Sequence, residues 1–152
     1  MIFLAFVSRA VDFARIVGLC VSLGGEPSTC LDVAGDVMHA TPDRWSGEWL
    51  IVTGFEESRF QVSAVGGGGM WRGYCQLAAI WGPLPDDREG EMEQCLEVFA
   101  MLVDTCGTRR RAESAFLTGS CDLDAEAARR RCDLIPSGCG SPALPNIPRA
   151  RE

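Results

Sequence analysis

The chain contains no lysine, so all 14 of its basic residues are arginine. Nothing functional follows from that. Histidine is almost as scarce, with His39 the only one, and no Cys-x-x-Cys pair occurs. Zinc sites draw on those residue types at short spacings, so neither a metal centre nor any other cofactor is expected. An excess of positive charge is also missing: the net charge is -7 over 152 residues. Sequence-independent nucleic-acid binding needs a basic surface and is excluded. No stretch reaches the roughly 20 apolar residues that span a bilayer, so no stable membrane insertion is expected. The N-terminal run MIFLAFVSRAVDFARIVGLC is interrupted by Arg9, Asp12 and Arg15. It lacks a basic start and a clear small-residue cleavage site, so an amphipathic helix fits it better than a signal peptide. The glycines at 66–69 are not followed by Gly-Lys-Ser/Thr, which excludes a phosphate loop. There is no internal repeat.

Among the features present, the eight cysteines come first. They are either buried thiols of a cytosolic protein or disulfides of an exported one. Five of the eight lie after position 94, which favours the second reading. The length suits one domain with a sizeable core. We place that domain at 1–135, followed by a tail over 136–152 with four Pro, two Gly and two Ser in 17 residues, read as extended or disordered.

Apolar spacing predicts helices over 2–19 and, from an N-cap at Ser28 or Thr29, through Leu31, Val33, Val37 and Met38. Thr41-Pro42-Asp43 reads as the start of the next helix, with Thr41 as N-cap and Pro42 at the first helical position. That helix is unusual. From Trp45 to Phe55 its only charged residue is Glu48, and apolar residues lie on nearly every side, which marks a buried helix. It emerges into Glu56-Glu57-Ser58-Arg59-Phe60. A short irregular or β-hairpin lobe follows over 62–80. Further helices are predicted over 91–105, with Gly107 as its cap, and over 109–117 and 124–134. Arg109–Arg111 and Arg129–Arg131 read as solvated faces. Met70 and Trp71 suit either core or sugar contact.

Three segments together resemble one family. Glu57-Ser58-Arg59-Phe60, Ala64-Val65-Gly66 and Gly73-Tyr74-Cys75-Gln76 follow the pattern E-S-x-F, A-x-G/S, G-L-M-Q of the soluble lytic transglycosylases, relatives of the goose-type lysozymes. The resemblance covers about 40–132. The family's A-Y-N-x-G is represented by Ala115-Phe116-Leu117-Thr118-Gly119, with Phe for Tyr and Leu for Asn. The resemblance implies a mostly α, α+β lysozyme-like fold and cleavage of peptidoglycan between N-acetylmuramic acid and N-acetylglucosamine. It implies Glu57 as catalytic acid/base and a groove lined by Ser58, Met70, Tyr74, Gln76 and Phe116. It also implies a monomer acting on glycan strands in the periplasm, outside the cell or on a phage. Independent chemistry points the same way. Burial and the negative end of a helix dipole both favour the protonated carboxyl that a general acid supplies at Glu57. Gln76 offers both a donor and an acceptor. No Asp or Glu lies between Glu57 and Asp86, so the second carboxylate of a hydrolase is missing there. Attack by the sugar's own 6-hydroxyl, leaving a 1,6-anhydro end, is then expected. A catalytically degraded relative that binds wall glycan, or serves a phage or secretion machine, is the alternative, and a cytosolic helical interaction protein is a third.

Helix spacing also bears on the cysteines. Cys95 and Cys106 are eleven helical residues apart, about 16 Å at the α-helical rise, beyond the roughly 7 Å that a disulfide allows between Cα atoms. Cys121 and Cys132 face the same objection if the helix over 124–134 forms. Cys106 with Cys121, and Cys132 with Cys139, remain as the natural pairs.

Overall fold

The computed structural model describes residues 2–41, 43–62, 64–122 and 125–140, with side chains from residue 9 onward. Among these residues there are six α-helices and a small antiparallel sheet. The fold is mostly α with a short β lobe, as the sequence predicts. The described residues group into two compact units, one up to Leu96 and one from Glu97 onward, divided within the fourth helix.

The first unit opens with α1 (Ile2–Ser22) and α2 (Pro27–Ala40). A disulfide between Cys20 and Cys30 joins them, with Cα atoms 5.6 Å apart. Glu26, not Ser28 or Thr29, caps α2: its carboxylate accepts from the Ser28 and Thr29 amides at 2.9 and 3.4 Å. The longer Glu side chain reaches those amides while Pro27, which has no N–H to satisfy, takes the first helical position. Thr41 likewise ends α2 and does not start α3, since its hydroxyl donates to the Val37 carbonyl at 2.7 Å. Asp43 is the N-cap of α3 (Arg44–Ser58), accepting from the Ser46 amide at 3.0 Å. Pro42 lies outside the described residues.

Helix α3 is buried from Trp45 through Gly54. Two glycines let neighbours approach it. A Cβ at Gly47 would stand 3.2 Å from Ile16 and 3.3 Å from Val37, and one at Gly54 would overlap the Tyr74 ring. Glycine costs about 1 kcal/mol relative to alanine inside a helix. Here close packing offsets it. The lobe after α3 has three two-residue strands, β1 (Val65–Gly66), β2 (Trp71–Arg72) and β3 (Leu77–Ala78), in that order. Gly66 and Ala78 both pair with Trp71.

Helix α4 (Arg88–Cys106) begins three residues before the predicted start, because the Asp87 carboxylate accepts from the Gly90 amide at 2.7 Å. The second unit continues through α5 (Arg109–Thr118) and α6 (Glu126–Leu134). Both predicted disulfides are present, Cys106–Cys121 and Cys132–Cys139. The two arginine triplets are not simple solvated faces. Arg110, Arg111, Arg129 and Arg130 are exposed, but Arg109 and Arg131 are buried. Arg131 pairs with the fully buried Glu113 at 3.1 Å. A carboxylate removed from water needs a compensating charge, and that draws one arginine of the triplet inward. Of the expected tail, only residues 136–140 are described. Ile135 is buried and Cys139 is bonded, so residues 136–140 belong to the second unit, and 141–152 lie outside the described residues.

Candidate active site

The site residues named from sequence in the first unit are all carried by the end of α3 and the lobe. Glu57 and Glu56 sit half-buried in the last turn of α3. Ser58 is buried, and its hydroxyl donates to the Gly54 carbonyl at 3.1 Å. That carbonyl also accepts from the Arg59 and Phe60 amides. Three donors on one oxygen end the helix abruptly. Arg59 and Phe60 then both adopt left-handed backbone, with φ of 55° and 65°. For residues other than glycine this costs on the order of 1–3 kcal/mol each, and it persists only where packing imposes it. The packing is visible. The Phe60 ring lies 5.7 Å from Phe55 and 6.3 Å from Tyr74, and the Arg59 guanidinium stands 4.0 Å over Phe55.

Tyr74 does not line a groove. It is fully buried, its ring covers Gly54, and its hydroxyl donates to the Leu50 carbonyl at 3.1 Å. Burial pushes its phenol far above the ordinary tyrosine range. Its role is to join α3 to the lobe. Helix α4 holds the same segment from another side. The Glu91 carboxylate, itself buried, accepts from the Tyr74 amide at 2.6 Å, and Cys95 is bonded to Cys75. Glu91 and Cys95 stand one helical turn apart, so one face of α4 grips two consecutive lobe residues. Neither partner is legible in sequence, because each depends on a contact between distant segments.

Among the described residues Gln76 is the third non-glycine residue with left-handed backbone, at φ 52°. Its amide nitrogen donates to the carbonyls of Ala64 at 3.1 Å and Gly73 at 3.0 Å. The expected dual donor and acceptor is thus an acceptor only, since both amide hydrogens brace the lobe. Met70 and Trp71 are 64% and 46% exposed, which settles the choice between core and surface in favour of surface. Phe116 lies in the second unit, half-buried, with its ring 6.3 Å from Phe99. Among the described residues no group of three or more His, Cys, Asp or Glu side chains could hold a metal ion, and no helix is long and apolar enough to cross a membrane. Comparison with protein families, with curated proteins and with solved structures returns no match for this chain.

Proposed function

We propose that this chain is a lytic transglycosylase that cleaves the β-1,4 bond between N-acetylmuramic acid and N-acetylglucosamine in peptidoglycan, with Glu57 as its single acid/base. The observation that carries this reading is the placement of Glu57. It stands half-buried in the last turn of a buried helix, two and three residues before Arg59 and Phe60, which are held in strained backbone. Strain of that kind concentrates where geometry serves function.

In the proposed reaction the Glu57 carboxyl gives its proton to the glycosidic oxygen as the C–O bond breaks. The carboxylate then takes the proton of the sugar's 6-hydroxyl as that oxygen attacks the anomeric carbon. Water is not consumed, and Glu57 ends protonated. Two of the carboxylates that follow in sequence have other duties, which leaves them less free to serve as the base of a hydrolase. Asp87 caps α4, and Glu91 is buried against the Tyr74 amide. Four disulfides are the mark of a chain that matures under oxidising conditions, which accords with an enzyme working on the cell wall or carried by a phage.

Glu57→Gln should lower clearing of purified peptidoglycan by at least about 100-fold, with the circular-dichroism spectrum unchanged. Glu56→Gln should do far less. Clearing at the wild-type rate by folded Glu57→Gln protein would remove the assignment. One observation favours a second reading, a glycan-binding relative without activity: Phe116 packs on Phe99 where the family pattern has a polar, sugar-facing pair. Retention on insoluble peptidoglycan without clearing would select it.

A further inference from the structure

Trp71 and Gln76 share one spot on the lobe. Trp71 lies in the central strand, and the residues directly opposite it on both sides are Gly66 and Ala78. Residues directly opposite in an antiparallel ladder share a face, so only small neighbours flank the indole there. The ring is held from behind by main chain: a Cβ at Gly67 would meet its edge, and the Met70 methyl lies 3.7 Å from the same point. The space beside Gly66 is filled in a specific way. A Cβ there would collide with Gln76 Oε1 and stand 3.9 Å from Trp71 Cβ. The Gln76 oxygen and the Trp71 Cβ thus both border the space above Gly66. The direction of the oxygen is fixed, because the amide nitrogen must face two carbonyls, and the oxygen keeps its capacity to accept.

An exposed aromatic plate near a rigid acceptor matches an N-acetylated pyranose. The axial C–H face of such a sugar is apolar and stacks on a ring, while its acetamido N–H or a ring hydroxyl donates to the acceptor. We infer that Trp71 and Gln76 Oε1 form a subsite for an N-acetylhexosamine unit, with Trp71 the specificity-determining residue. The identity of the sugar rests on the proposed cleavage of peptidoglycan. Gly66 is part of the device, since any side chain there displaces the Gln76 oxygen. Its φ of -123° makes alanine acceptable to the backbone.

The test is isothermal titration of the full chain carrying Glu57→Gln, which separates binding from turnover, with the tetramer of N-acetylglucosamine. Trp71→Ala and Gly66→Ala, each added to that protein, should weaken binding by about tenfold or more, and Trp71→Phe should stay within about threefold. Absence of binding by the parent, or affinity within about twofold of it for either alanine variant, overturns the subsite. Wall clearing by the unmodified chain is measured separately. Binding that depends on Trp71 without clearing leaves the subsite standing and removes the catalytic reading. Clearing accompanied by binding indifferent to Trp71 does the reverse.

Discussion

At Tyr74 the hydroxyl donates to the Leu50 carbonyl and the ring fills the space that Gly54 leaves open. This is the only tyrosine in the chain, and there is no lysine. All the cysteines are bonded. Between about pH 9 and 12, then, Tyr74 is the one side chain left to titrate, since arginine loses its proton only above that window. The sign follows from its raised value. Below about pH 10 the phenol is neutral in the folded and unfolded chains alike, and its contribution to stability is fully present. Above that the unfolded chain sheds the proton and the folded one keeps it, so stability falls as pH rises. Tyr74→Phe should cost about 0.5–1.5 kcal/mol at neutral pH, through the lost hydrogen bond. It should also flatten the alkaline slope. Denaturant unfolding from pH 8 to 12 checks both, and parallel curves for the two proteins would refute the assignment of the slope to Tyr74.

Among the elements, α3 was the most legible. A run with Glu48 as its only charge between Trp45 and Phe55 can be stable only if buried, and it is. The Cys106–Cys121 and Cys132–Cys139 bridges were legible for a different reason: a helix is rigid, its rise forbids a Cys95–Cys106 pair, and short loops favour the pairs found. The Cys20–Cys30 and Cys75–Cys95 bridges were not foreseen. Cys75–Cys95 in particular depends on how the lobe folds onto α4, which no local spacing encodes. No thiol should titrate in the denatured, unreduced protein. Replacing Cys106 and Cys121 together by serine should lower stability by about 3 kcal/mol, the cost of freeing a loop with a sequence separation of 15. Unchanged denaturant midpoints would show that the bridge does not constrain the unfolded chain.

Over the whole molecule, the mostly helical class and the lobe at 62–80 followed from periodicity and glycine content, because both are local signals. The division into two units did not, since a helix as regular as α4 shows no break in its sequence where the units divide. The candidate site was read in part. Glu57 stands half-buried at the end of α3, while Tyr74 turned inward and Gln76 spent its donors on the lobe. Pattern matching names positions, but it does not say which face of a two-residue strand or a left-handed turn a side chain takes. The central claim, one carboxyl and no water, is tested most directly by mass spectrometry of the fragments released from purified peptidoglycan. The account predicts muropeptides ending in 1,6-anhydro-muramic acid, lighter by one water than their hydrolytic counterparts. Fragments ending only in reducing muramic acid would contradict it, since water would then be the nucleophile and a second carboxylate its base.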